Sequence, residues 1–120
     1  MFERFTTKPF NNDENVYHYF IELLNDKYIE YAYADLMADA MGISQRKLNE
    51  AVKNITGKTA CQLTEEKIVF EAEKLLEETD EKIKDIALHL GYDDHFYFNR
   101  MFKKINGLAP GKYRKSLVTK

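Results

Sequence analysis

The chain repeats itself. Met37-Ala38-Asp39-Ala40-Met41-Gly42-Ile43 resembles Ile86-Ala87-Leu88-His89-Leu90-Gly91-Tyr92, 49 positions later. Beyond that segment the correspondence continues at a spacing of 50: Leu48 with Phe98, Val52 with Phe102, Lys53 with Lys103, Ile55 with Ile105, Gly57 with Gly107. Four of the five glycines fall at matched positions. A repeat of this kind decides architecture, because each copy has to bury its apolar face by the same local means.

Each copy reads helix, glycine turn, helix. Ala38 or Ala87 is small where two helices cross closely. Gly42 or Gly91 permits the left-handed turn. Leu48 and Val52, or Phe98 and Phe102, anchor the second helix from beneath. This is the pattern of a helix-turn-helix, whose second helix can lie in a major groove. A packing hairpin of no further use would explain one copy; two matched copies joined by a helix favour the groove-reading unit.

The rest of the chain is helical in period. From about Asp13, an expected N-cap, Val16, Phe20, Ile21, Leu24 and Tyr28 recur on one face. A second helix is expected from Tyr33 to Met41 with Leu36, Met37 and Ala40 inward. A third runs from Gln45 to about Ile55, capped by Ser44, with Leu48, Ala51 and Val52 buried. Thr59 opens a connector to about Glu77, with Leu63, Ile68, Ala72, Leu75 and Leu76 inward and an acidic outer side. Such a rod is about 28 Å long. Helices from Ile83 to Leu90, Asp94 to Ile105 and Gly111 to Ser116 follow. The expected fold is all-α and homeodomain-like: about seven helices in two helix-turn-helix subdomains joined by a long connector. The expected divisions are a tail at 1–12, the first subdomain at 13–58, the connector at 59–78 and the second subdomain at 79–120. Phe2, Phe5 and Phe10 make the tail unusually aromatic, as if it ended an interface.

Net charge is −2, which taken alone argues against a nucleic-acid partner. The average conceals an asymmetry. Up to Glu81 there are nine basic residues against 17 acids; from Lys82 onward there are nine against three. Both expected recognition segments are basic within an acidic body, which fits a basic face for an acidic partner.

Catalytic and metal chemistry find no support. His18, His89 and His95 have no ligand spacing with Cys61, so no metal site is expected. The acid pairs Glu65-Glu66 and Glu77-Glu78 fall on exposed helical faces and read as solubility charge. No Gly-rich phosphate loop or nucleophile elbow occurs, and nothing prepares Cys61 for alkyl transfer. No apolar run approaches the length of a membrane span.

With Leu48 and Val52 inward, Gln45, Arg46, Asn49 and Glu50 share the opposite face of the third helix; the matched positions in the sixth are His95, Phe96, Asn99 and Arg100. Arg100 suits guanine O6 and N7, Asn49, Asn99 and Gln45 suit adenine N6 and N7, and Phe96 suits a thymine methyl. Glu50 either accepts from cytosine N4 or restrains Arg46 one turn back; the second role is favoured. Lys47, Lys53, Lys103, Lys104, Lys112 and Arg114 are the expected phosphate contacts, and the helix starts at Ser44 and Asp94 can present N–H groups to phosphate. Tyr113 reads as core.

From about Tyr17 to Lys115 the chain resembles the DNA-binding domain of the AraC/XylS family of bacterial transcription regulators. The resemblance is carried by Glu71-Ala72-Glu73-Lys74-Leu75-Leu76, by Ile83-Lys84-Asp85-Ile86-Ala87 and by Gly91-Tyr92. It continues through Phe98-Asn99-Arg100-Met101-Phe102-Lys103-Lys104 and Gly107-Leu108-Ala109-Pro110-Gly111-Lys112-Tyr113-Arg114. It is stronger in the second half; Leu63 replaces the family's usual aromatic, and Ile68 stands where a connector arginine is usual. The resemblance implies sequence-specific binding of a double-stranded DNA operator, with the helices at about 45–55 and 94–105 in successive major grooves. The eight exposed positions above match the family's base-contacting ones. It also implies no cofactor, RNA polymerase as a further partner, a separate sensing or dimerising domain in the full-length protein, and a cytoplasmic, nucleoid-associated location. Two other readings remain: a helical protein-interaction module, and a DNA binder in which only the second helix-turn-helix reads bases.

Overall fold

The computed structural model describes residues 12–27 and 34–118, so the expected packing of Phe2, Phe5, Phe10 and Tyr28 lies outside the described residues. Among the described residues there are seven helices and no strand: α1 Asp13–Lys27, α2 Ala34–Met41, α3 Gln45–Thr56, α4 Ala60–Glu78, α5 Ile83–His89, α6 His95–Asn106 and α7 Pro110–Val118. The chain divides into two compact units, up to Thr64 and from Glu65, with the boundary inside α4.

In the first unit, α1 packs on α2 and α3, and α2 packs on α3. Val16, Phe20, Met37, Leu48 and Val52 are fully buried in one cluster, joined by Leu24, Ala51 and Ala60. Two inward expectations fail: Leu36 is 40% exposed and Ala40 is exposed as well. An eight-residue helix has room for only a narrow buried stripe, here Met37, Ala38 and Met41. The cap of α1 also shifts by one residue. Asn12 Oδ1 accepts from Asn15 N–H at 2.8 Å, whereas Asp13 is the first helical residue and accepts from Asn54 Nδ2 at 2.8 Å.

The second unit is built from the remainder of α4 with α5, α6 and α7. Ile68, Val69, Ala72 and Leu76 of α4 are buried, as are Ile86, Ala87, Leu90, Tyr92, Phe98, Met101 and Phe102. An aromatic row holds α6. Phe98 stands 5.8 Å from Tyr92 and 6.2 Å from Phe102, and Phe102 is 5.8 Å from Tyr113. Tyr113 is half-buried rather than core, and its hydroxyl donates to Glu77 Oε2 at 2.5 Å. That bond, reinforced by burial and by the charges of Glu77 and Glu73, pushes its phenol up to about 12.

The sequence repeat is a repeat of backbone geometry. Gly42 N–H donates to Asp39 O and Ile43 N–H to Ala38 O; Gly91 N–H donates to Leu88 O and Tyr92 N–H to Ala87 O. Both turns are Schellman motifs, with their glycines at φ 73° and 97°. Helices α3 and α6 each end on a single bond from glycine, Gly57 to Lys53 O and Gly107 to Lys103 O, each 2.8 Å. Both begin on a side-chain cap. Ser44 Oγ accepts from Lys47 N–H at 3.0 Å, and Asp94 Oδ1 accepts from Phe96 and Tyr97 N–H at 3.0 and 3.3 Å. Thr59 and Gln62 cap the start of α4 reciprocally, a capping box. Asp94→Ala is expected to lower stability by about 1 kcal/mol, measured by thermal or chemical unfolding; a loss below a few tenths would mean the cap is dispensable.

Candidate nucleic-acid interface

The outer faces of α3 and α6 carry the expected reading residues, each on its own unit. On α3, Leu48, Ala51 and Val52 are buried while Gln45, Arg46, Lys47, Glu50 and Lys53 are exposed. On α6, Phe98, Met101 and Phe102 are buried while Phe96, Arg100, Lys103 and Lys104 are exposed. The side chains sort this way because buried positions recur at three and four residues, which leaves the opposite side to water.

Phe96 is 64% exposed. Its ring lies 4.2 Å from that of His95, which is half-buried and braces it. A large apolar ring left in water at a helix start is unfavourable for the free domain and suits contact with a flat apolar partner. Among the described residues, the side chains of Gln45, Lys47, Arg100, Lys103 and Lys112 engage in no hydrogen bond or ion pair. Arg46 Nε lies 3.2 Å from Glu50 Oε2, with 86% and 63% of the two side chains exposed. This is the restraining pair expected of Glu50, and at such exposure it is weak enough to exchange for another acceptor.

Four expected contacts have other occupations. Arg114 donates to three carbonyls, Leu76 O, Thr79 O and Glu81 O, at 3.2, 3.0 and 2.6 Å. Its guanidinium closes the open C-terminal end of α4 and the following loop, which gives it a structural role as a strap. Ser44 Oγ takes one of the N–H groups at the start of α3 and Asp94 Oδ1 takes two at the start of α6, and the Asp94 carboxylate would also repel an anion. Lys104 Nζ lies 3.8 Å from Glu65 Oε1 but remains largely exposed.

Asn49 is half-buried, and its Oδ1 accepts from Ala60 N–H at 3.0 Å. Asn99 is half-buried too, but its Oδ1 is enclosed and accepts no hydrogen bond. Leaving such an oxygen unpaired costs about 1–3 kcal/mol.

Sequence reasoning missed the polar links of α6 to α4. Tyr97 Oη donates to Glu65 Oε2 at 3.3 Å, and Asn106 Nδ2 donates to Glu73 Oε2 at 2.8 Å. No local pattern signals them, since they depend on which residues meet where helices cross. Among the described residues there is no group of three metal-ligating side chains, and no helix is long and apolar enough to cross a membrane.

Residues 37–116 match the family described as a helix-turn-helix domain. The chain is similar to the uncharacterized HTH-type transcriptional regulator YisR of Bacillus subtilis, with 31% identity over 97 residues, covering 81% of this chain and 34% of that protein. It is also similar to the probable transcription factor PqrA of Proteus vulgaris, 34% identical over 82 residues, covering 68% of this chain and 67% of the relative. Among solved structures, the C-terminal domain of AraT, a response regulator from Geobacillus stearothermophilus, superposes with a TM-score of 0.73 at 26% identity, covering 84% of each chain. The DNA-binding domain of AdpA, solved with a target DNA, shares the fold: its TM-score is 0.71 at 20% identity, covering 84% of this chain and 90% of that one. The chain thus spans about a third of the length of YisR.

Proposed function

We propose that this chain, which belongs to the helix-turn-helix domains of AraC-type transcription regulators, binds double-stranded DNA in a sequence-specific manner with α3 and α6 as its two recognition helices, lying in successive major grooves. The observation that carries this reading is the pair of matched turn-and-cap geometries, each presenting one amphipathic helix whose outward side chains are polar or basic apart from Ile55 on α3 and the aromatic Phe96 and Tyr97 on α6. A helix anchored mainly through its buried face leaves the opposite face to enter a groove.

In this reading Arg100 contributes the strongest base contact, a bidentate pair with guanine O6 and N7, because its guanidinium is exposed and unpaired. Phe96, braced by His95, meets a thymine methyl. Gln45 and Arg46 read the other groove, with Glu50 orienting Arg46. Lys47, Lys53, Lys103, Lys104 and Lys112 neutralise phosphates and set register without reading sequence. RNA polymerase as a second partner, and a sensing or dimerising domain in a longer protein, belong to the same proposal; the names of relatives as regulators support them. The relatives are transcription regulators rather than enzymes.

The test is site selection on random duplexes followed by titration of the selected site. Arg100→Ala is expected to lose about 1–3 kcal/mol on that site and to relax preference at one position. Arg46→Ala should relax preference one helical turn away. If Arg46→Ala changes neither affinity nor preference while Arg100→Ala does, only the second helix-turn-helix reads bases. Absence of any selected sequence would reject the proposal and favour a protein-interaction module.

A further inference from the structure

The two units agree in their turns and caps, and they part at one polar contact. Asn49 and Asn99 stand at matched positions, and so do Ala60 and Pro110, the first residues of α4 and α7. The match extends into those helices: Leu63 N–H donates to Thr59 O as Tyr113 N–H donates to Ala109 O. It also covers the residues just past α3 and α6, where Lys58 N–H donates to Thr56 Oγ1 and Leu108 N–H to Asn106 Oδ1. In the first unit Ala60 N–H donates to Asn49 Oδ1. The second unit cannot repeat that bond, because proline has no N–H, and Asn99 Oδ1 accepts nothing.

We propose that this difference decides which asparagine reads DNA: Ala60 holds Asn49 as a positioning residue of the first unit, while Pro110 leaves Asn99 available to a base. This rests on the assignment of α3 and α6 as recognition helices. An asparagine recognises adenine by accepting from N6 with its oxygen and donating to N7 with its nitrogen, so both ends of the carboxamide have to be free. Asn49 can turn to a base only by giving up its bond to Ala60 and uncapping a first-turn N–H of α4. Asn99 gives up nothing. Turning outward relieves an oxygen that is enclosed and unpaired in the free protein, so the base contact adds its full strength. Proline at the first position of α7 is favourable for that helix in its own right, and its effect on Asn99 comes without loss of helix stability. The first unit's direct readout then falls to Gln45 and Arg46, and adenine preference is concentrated in the second.

The experiment measures base preference at every position of a site selected by the wild-type chain, for wild type, Asn49→Ala, Asn99→Ala and Pro110→Ala. Asn99→Ala is expected to lower preference for adenine at one position by about tenfold or more. Pro110→Ala, which restores an N–H at the position matched to Ala60, is expected to lower preference at that same base position while the unfolding temperature is kept or raised. Asn49→Ala is expected to leave every preference unchanged, to lower the unfolding temperature by about 4–8 °C and to speed hydrogen exchange at the Ala60 amide. A wild-type preference retained in Pro110→Ala, or a preference lost in Asn49→Ala, overturns the proposal. Should Pro110→Ala fail to fold, Ala60→Pro tests the same idea in reverse. Freed Asn49 should add an adenine preference in the first half-site, and an unchanged profile there overturns the proposal. A wild-type chain that selects no sequence rejects the recognition-helix assignment itself, and is thereby told apart from failure of the variants alone.

Discussion

Phe102→Ala is expected to destabilise the second unit by about 3–5 kcal/mol. Phe102 is fully buried, and its ring stands between those of Phe98 and Tyr113. Truncation removes the side chain on which α6 and α7 both close, and leaves a cavity that only a shift of a helix could fill. The loss comprises the transfer free energy of the ring and the contacts of the cavity wall. Since domains of this size are stable by only about 5–15 kcal/mol in total, the loss takes a large share of that stability and raises the fraction of molecules in which α6 is unfolded. DNA binding would then fall without any base-contacting group having been touched. Phe102→Leu, which keeps most of the volume, should cost far less. Chemical unfolding, with hydrogen exchange at the amides of α6 and α7, measures both variants. A loss for Phe102→Ala below about 1 kcal/mol would mean that the α6–α7 packing is not what holds the helix.

The second large effect is on ionic strength. With Arg114 tied to carbonyls, five lysines remain for phosphate: Lys47, Lys53, Lys103, Lys104 and Lys112. Lys104 is the doubtful member of the set, because Glu65 competes for it at 3.8 Å. Four to five neutralised phosphates predict that affinity falls about 150- to 500-fold between 50 and 200 mM salt. The acidic body of the chain adds repulsion at low salt and so moderates non-specific binding relative to a uniformly basic domain. A salt titration of a selected duplex checks this directly. A response below about tenfold would contradict a phosphate-contacting face, and one far steeper would return Arg114 to the interface.

Much of the fold could be read from the residues, and the reason is local. Gly42, Gly57, Gly91 and Gly107 all take positive φ, a conformation that side-chain-bearing residues rarely adopt, so the ends of four helices were written in composition and spacing. Ser44 acts through a bond within three residues, which is why its capping role could be inferred, and Thr59 and Asp94 cap their helices in the same local way. Leu36 and Ala40 were misjudged because an apolar side chain in a short helix carries no mark of which flank is covered. The candidate site was legible only as two faces. The occupation of Asn49 by Ala60 and of Arg114 by three carbonyls joins residues 11 and more than 30 positions apart. Such bonds are set by where helices cross, and a polar residue looks the same in sequence whether it is committed to its own backbone or free to meet a partner.

The paired Schellman turns carry a further meaning, about history. Two units that share turns at a spacing of 49 and caps and helix starts at a spacing of 50 are what duplication of a single ancestral unit would leave behind. Backbone geometry is the part the two units share, since a turn that needs positive φ tolerates few replacements. The bond of Asn49 to Ala60 is where they differ. On the proposal above, a difference as small as alanine against proline at the start of one helix would give the two units different work while both keep the same fold.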